Sequence, residues 1–545
     1  MFFDQKRKRS DESCKAFPLC ATAAGVLLGL AIGAGSADAE PNNHVLRQIT
    51  NLTTGQIETP KIRSQDGDSV SFISNGDVLG PGTQTSQRHL YYWDEVTDTI
   101  TQVTSGENCE AIEQSRPMDT TFSGGRPQII AFISNCDLDP DPGRSNSDGN
   151  YELFFWAVES GTFFQITDTV APVVNATPFV SDSGRCIVFS STGDLDNNVA
   201  SNPNYDDNHP GPGFTNQDGS EEVFLLSTLS AEEDRPFPFP YNGTFTQLSN
   251  GPAGTKSENP VIGGYWYARQ CQTTVWQSDH DQLGTGAEGT QLWIYHKPAS
   301  EVRAFDYPGE MNPIGLSGNF PAGNYTRPFI SAASPFARGP HVAFEAQTDL
   351  WANGSEGEEN VYNMRIFHPR LTQFTDTQLY SPGAQVRRPS VSDGGGVFSY
   401  HSTGEFVSQK RNARIGGTPP FNADGNNEIF RIKGRSRIFQ LTKTENCDNS
   451  DASLDDSGRR FAWRSTCDLV PGANASGAEQ VFVWSLEKNN SEFLANCEQA
   501  NGCCSYSRKN PSSCYEPVFG SKPKPPRPNC EARSTPTKDR CARTQ

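Results

Sequence analysis

Short runs of alternating apolar and polar residues, separated by turns, fill most of this chain. From Ile130 to Thr167 an apolar run centred on Phe132 is followed by an Asp-, Asn- and Gly-rich turn. A second run carries Phe154, and a short strand then ends in Gln, an apolar residue and Thr. Runs of this length with β-branched and aromatic residues, bounded by Gly and Asp clusters, predict strands and hairpins rather than helices. The skeleton recurs along the chain. An aromatic residue is followed five positions later by an acid at Phe72 and Asp77, Phe132 and Asp137, Phe189 and Asp194, Trp276 and Asp281, Phe344 and Asp349, Tyr400 and Glu405, and Trp463 and Asp468. The second aromatic of each unit is Tyr91, Phe154, Phe224, Trp293, Tyr362, Phe430 or Phe482. Most units close on Gln, apolar, Thr or Ser, ending at Thr104, Thr167, Ser249, Thr375 and Thr442.

Self-similarity at a period of tens of residues marks an array whose units bury their faces only against neighbours. Seven such units predict an all-β fold, a β-propeller of seven four-stranded blades. Val45 to Thr50 (VLRQIT) carries the closing signature with no unit before it, whereas the last unit, ending at Trp484, lacks one. The N-terminal segment is therefore expected to supply the outer strand of the last blade, so that no long edge remains. Turns such as 181–184 (SDSG), 392–395 (SDGG) and 455–458 (DDSG) are hairpin signals, because Gly takes φ > 0 without strain and Asp bonds its own backbone.

A strand, an Asp-Gly turn, an IAF-S strand, a DG-x-x-E-I-F strand and a Q-L-T strand in succession resemble the TolB-like, WD-type propeller repeat, over residues 45 to about 490. The resemblance implies architecture; such propellers serve as docking modules, as covers on peptidases and as sugar-acid enzymes, so it implies no single function. Periplasmic TolB proteins carry a separate N-terminal domain that this chain has no room for, and their partners are not transferred.

Residues 1–39 have the plan of a secretory leader: Lys6, Arg7, Lys8 and Arg9, an apolar run from Ala21 to Ala34, and Ala37-Asp38-Ala39 as a cleavage site. The run is too short for a bilayer, which needs about 20 apolar residues, and no other stretch is long enough. An exported protein is expected, periplasmic, cell-surface or extracellular. The propeller then occupies 40–496, and 497–545 form a basic, Pro- and Cys-rich tail. Of 14 cysteines, the twelve beyond the leader are an even number in a compartment that permits disulfides. Cys109 with Cys136 and Cys447 with Cys467 hold equivalent places in two units and are expected to pair, and Cys186 with Cys271 by elimination. The tail's six are expected to staple it, since it has no His and no C-x-x-C for zinc.

The net charge of −19 argues against nucleic acid as partner. The tail, with nine Lys and Arg against four Asp and Glu, suits docking on an acidic surface or a merely solvated extension.

Three turns repeat a set of oxygen-bearing residues spaced by two around a Gly: Asn146, Asp148, Asn150 and Glu152; Asn216, Asp218, Ser220 and Glu222; Asn422, Asp424, Asn426 and Glu428. With Asp137, Asp139 and Asp141 beside the first, they suit Ca²⁺, which wants about six to eight oxygens. They equally suit hairpin turns. Asp279, His280 and Asp281 place a histidine between acids. Three insertions are candidate binding loops: 196–217, long and rich in Asn, Asp, Pro and Gly; 231–241, with Phe237, Phe239 and Tyr241 set among prolines; and 406–422, with Lys410, Arg411 and Arg414. There is no G-x-S-x-G elbow, P-loop, Rossmann fingerprint or H-E-x-x-H pair.

Three functions fit. The preferred one is a non-catalytic exported propeller that binds a protein or glycan through its loop face. A Ca²⁺-dependent hydrolase or lyase of sugar acids or lactones requires instead that carboxylates and a histidine, His280 being the candidate, converge in the channel. A cell-surface structural protein held by its tail is the third.

Overall fold

The computed structural model describes residues 44–63, 67–119, 128–141, 145–181, 184, 186–195, 216–227, 244–263, 273–282, 288–296, 310–313, 323–331, 340–348, 350, 357–365, 370–392, 395–406, 422–434, 437–486, 530–531 and 540–541. Seven antiparallel sheets of four strands follow one another, numbered here as blades 1 to 7. Each blade packs on the next through its first strand, and blade 7 packs back on blade 1, which closes the ring. The first strands are Ile57–Ile62, Ala111–Gln114, Asn175–Val180, Ser257–Gly263, Tyr325–Ile330, Val386–Val391 and Asn449–Leu454.

The second strand of a blade is buried on both faces, as in Ser69–Ser74 and Cys186–Ser191, because blades press on it from either side. Such strands read as nearly continuous apolar runs. Outer strands such as Thr99–Gln102 face solvent on alternate positions. The two aromatics of every unit sit directly opposite one another on the second and third strands: Phe72 and Tyr91, Phe132 and Phe154, Phe189 and Phe224, Trp276 and Trp293, Phe344 and Tyr362, Tyr400 and Phe430, Trp463 and Phe482. Ring centroids of stacked pairs lie between 5.3 Å (Tyr400 and Phe430) and 6.1 Å (Trp463 and Phe482), the spacing at which stacked rings attract beyond their buried area.

Closure follows the expected strand exchange. His44–Gln48 pairs with the third strand of blade 7, setting Leu46 opposite Trp484. The Gln, apolar, Thr signature has a structural cause. The Thr or Ser hydroxyl accepts the backbone N–H at the second position of the third strand, as Thr104 does from Leu90, Thr167 from Leu153, Ser249 from Val223, Thr375 from Val361 and Thr442 from Ile429. Thr50 does this for Val481, across the closure.

Gly184, Gly395 and Gly458 sit at φ of 66°, 62° and 64° in their hairpins, as the turn chemistry requires. Blade 2 departs from the pattern. Its first strand is interrupted between Gln114 and the two-residue pairing at Met118–Asp119, and Arg116 lies in the gap. Disulfides join Cys109 to Cys136 and Cys447 to Cys467, with Cα atoms 4.5 and 5.3 Å apart. Cys186 is disulfide-bonded, whereas Cys271 lies outside the described residues. In the tail, Cys530–Glu531 pairs with Arg540–Cys541. No helix among the described residues is long and apolar enough to cross a membrane.

Candidate functional site in the central channel

The first strands line a cavity of about 260 Å³ along the ring axis. Six of them bulge at the same place, where the register to the second strand shifts. At each bulge a residue other than Gly takes a left-handed backbone: Thr59, Thr177, Asn259, Arg327, Arg388 and Asp451, at φ from 32° to 60°. Five of the six precede a proline. A non-Gly residue in this region costs of order 1–3 kcal/mol, and such costs gather at ligand sites. Apart from Asp98 and Asn446, the non-Gly residues with positive φ among the described residues form one ring of side chains lining the cavity.

The bulge turns backbone N–H groups away from the ladder, and side chains of the preceding blade receive them. Arg327 N–H donates to Gln277 Oε1 at 2.7 Å, Arg388 N–H to Glu345, and Asp451 N–H to His401 Nδ1 at 3.3 Å. These acceptors share one position, next after the unit's first aromatic. Around the ring that position reads Ile73, Ile133, Ser190, Gln277, Glu345, His401 and Arg464. Blades 1 and 2 are thus apolar there and blades 5 to 7 ionisable.

Ion pairs knit those last blades together. Arg327 reaches Glu345 at 3.2 Å, Arg388 reaches Asp451 at 3.0 Å, and Arg464 Nε reaches the other Asp451 oxygen at 2.7 Å. The carboxylates are buried, but Arg327 and Arg388 keep 41% and 40% of their side chains open. Two part-exposed guanidiniums at equivalent bulge positions of adjacent blades, each paired with a buried carboxylate, thus line the cavity. Burial pushes the Glu345 carboxyl up, against the pull of Arg327. Burial likewise lowers His401 to about 4. Its ring is therefore neutral at neutral pH, and Nδ1 is the acceptor nitrogen, which leaves the proton on Nε2.

Lys61 lines the same cavity on blade 1. It has no hydrogen bond or ion pair among the described residues, and burial, with Arg388 and Arg116 adding to it, lowers its ammonium to about 8. On blade 2, burial raises Glu113, whose carboxylate accepts the Thr177 N–H.

Four side chains from blades 2, 3, 5 and 7 meet in the channel, two of them, Phe179 and Phe329, on the cavity wall. Arg116 of blade 2 pairs with Asp456 of blade 7 at 3.1 Å, its side chain only 3% exposed. The same guanidinium lies 5.8 Å from the ring of Phe179 and 5.5 Å from that of Phe329, and those two rings meet edge to face at 5.8 Å. Asp456 belongs to a hairpin turn, so this plug sits toward the turn side and the cavity is a cup rather than a through-pore.

Residues singled out from sequence fall mostly elsewhere. Glu152 accepts hydrogen bonds from Thr167, Asn150 and both the N–H and hydroxyl of Thr169. Glu222 accepts from Ser249, Ser220 and Gly251 N–H, and Glu428 from Thr444 and Asn426. Burial raises all three carboxyls. Asn150 donates its Nδ2 to Thr169 and Glu152, while its Oδ1, like those of Asn146, Asn422 and Asn426, is buried without a hydrogen-bond partner among the described residues. Asp137 holds Ser145 and Asn146, Asp139 holds the N–H groups of Asp141 and Gln165, Asp218 holds Ser220 and Asp424 holds Asn446 N–H. Asp148 is exposed in its turn. Among the described residues no group of three His, Cys, Asp or Glu is placed to hold a metal ion. The acid five after each first aromatic caps a turn where its partners are described, as Asp77 does for Thr53 and Thr54, and Asp468 for Gly472 and Asn474. Asp279 accepts Lys256 N–H beside His280, which is not among the residues lining the cavity. Phe237, Phe239, Tyr241, Lys410, Arg411 and Arg414 lie outside the described residues.

The chain is a seven-bladed propeller. No family profile matches it, and no curated protein matches its sequence. Among solved structures it is similar to an oligogalacturonate lyase in complex with manganese, at 9% identity and a TM-score of 0.43, over 84% of this chain and 96% of that one. An acylaminoacyl peptidase of Pyrococcus horikoshii gives 7% identity and 0.41, over 82% and 55%. TolB from Acinetobacter baumannii gives 13% and 0.33, over 75% and 82%. The chain spans little more than half the length of the peptidase. Its own seven sheets, rather than these likenesses, establish the fold.

Arg327, Arg388, Glu345, His401, Asp451 and Lys61 were not singled out by the sequence reading. Aligning the units on their first aromatic would have shown two variable columns, the residue before the bulge proline and the residue after the aromatic. Both vary where the repeat's structural positions stay constant.

Proposed function

We propose that this chain is an exported, non-catalytic propeller that binds an acidic glycan, taking a uronate-type carboxylate into the cup. The observation that carries this is the pair Arg327 and Arg388, both lining the cavity and held by Glu345 and Asp451, yet each about two-fifths exposed. Export is supported by the leader pattern of residues 1–39 and by the disulfides. Thr59, Asn259 and Ser390 add hydroxyl and amide groups to the cavity wall. A binding role is favoured over acid–base catalysis because His401 and Glu345 already hold backbone N–H groups of neighbouring blades.

Titration calorimetry with glucuronate and with glucose tests the reading. Binding of glucuronate, weakened about tenfold or more in Arg327→Gln and Arg388→Gln as expected for one lost charge-assisted bond, supports it. Equal affinity for the two sugars, or none for either, overturns it.

A further inference from the structure

Among the described residues Lys61 is the cavity-lining amine, and the anion site does not use it. Its ammonium has no partner among the described residues, although carboxylates stand near: the fields of Asp451 and Glu113 reach it, as do those of Arg388 and Arg116. Buried lysines are ordinarily paired or snorkel to water. Lys61 is half-buried on the wall of the cavity that Arg388 also lines, with the fields of Arg388 and Arg116 upon it, the setting that makes a lysine nucleophilic, partial desolvation beside other cations.

We infer that Lys61 captures the carbonyl carbon of an anionic aldehyde or keto compound as an imine, with Arg388 holding the ligand's carboxylate. An open-chain uronate, with its aldehyde and carboxylate at opposite ends, and a 2-oxo acid, with the two on adjacent carbons, both carry that pair of groups; the recognised chemistry is a carbonyl and a carboxylate on one small molecule. The inference rests on the anion site proposed above. In the step, the Nζ lone pair of the neutral amine attacks the carbonyl carbon and the C=O π pair moves to oxygen. A proton passes from nitrogen to that oxygen, and water leaves as the C=N bond forms. No oxidant or reductant is needed. With the ammonium lowered to about 8, about a tenth of Lys61 is free amine at pH 7, against well under a thousandth for an ordinary lysine.

Glyoxylate and sodium cyanoborohydride, added to the purified full chain, convert an imine into a stable secondary amine that peptide mass mapping locates. The expected result is labelling of Lys61 about tenfold or more faster than surface lysines. The rate should rise with pH and level off above about 8, vanish in Lys61→Arg and slow in Arg388→Gln. Thermal melts of both variants confirm that they fold. Labelling spread over surface lysines and unchanged in Lys61→Arg overturns the inference. If glucuronate binds by calorimetry yet Lys61 is not trapped, the imine falls and the anion site stands. If Lys61 is trapped equally by glyoxylate and by uncharged propionaldehyde, the imine stands and the anion site falls.

Discussion

The hydroxyl of Thr50 donates to Oε1 of Gln480 at 2.9 Å, joining residues 430 positions apart. The same hydroxyl accepts Val481 N–H at 2.8 Å. In the other blades the equivalent pair lies within one unit, as Thr167 and Glu152 do. Here it closes the ring, so one local hydrogen-bond motif also fastens the two ends of the fold.

Thr50→Ala leaves Gln480 and Val481 N–H without this partner. It is expected to cost about 1–3 kcal/mol, read as a lower urea midpoint with an unchanged slope. Deleting residues 44–50 bares the edge of blade 7 and is expected to produce self-association in size-exclusion chromatography. A monomeric truncation with wild-type stability would show that the first strand does not close the ring in solution.

Arg116→Ala removes one member of a buried pair that spans blades 2 and 7. Removing this partner of the buried Asp456 carboxylate is expected to cost about 3–5 kcal/mol. A loss below about 1 kcal/mol in denaturant titration would show that the plug is solvated.

Acid should loosen blades 5 to 7. His401 and His341 both fall from 6.5 to about 4 on burial. A histidine whose folded pKa is depressed binds fewer protons folded than unfolded, so its contribution is complete above about 6.5 and is lost as pH falls toward 4, at most about 3 kcal/mol each. The buried glutamates act in the opposite sense, since a raised folded pKa favours the folded state at lower pH. Unfolding free energy measured from pH 7 to 4 should therefore fall less steeply in His401→Asn than in the wild type. Parallel slopes would contradict the burial of a neutral ring.

Calcium separates turn chemistry from ion binding. Because Glu152, Glu222 and Glu428 accept hydrogen bonds from protein donors, calorimetric unfolding is expected to be the same with Ca²⁺ and with chelator at matched ionic strength. An upward shift, lost in Asp148→Ala, Asp218→Ala or Asp424→Ala, would make these turns ion sites.

Opening the disulfide between Cys447 and Cys467, which encloses 20 residues, is expected to cost about 3 kcal/mol through the entropy returned to the unfolded chain. The double Cys→Ser variant, compared by denaturant titration, measures this.

By itself the sequence determined the blade: stacked aromatics, turn-capping acids and hydroxyl clamps each depend on neighbours within one unit, so selection repeats them at fixed spacing and the repeat can be read. It also determined closure, because the displaced VLRQIT had one vacant place to fill. The cup was decided by tertiary structure alone. Arg327, Arg388, Asp451 and Lys61 come from four blades and meet only when the ring closes, at bulge positions whose side chains face the axis rather than the repeat's core. Nothing local constrains those side chains, so they differ from blade to blade and leave no periodic signal. Glu152, Glu222 and Glu428 read two ways in the sequence for the converse reason: a buried carboxylate that accepts from hydroxyls has the same residue types and spacing as a cation site. Only the positions of the donors distinguish the two.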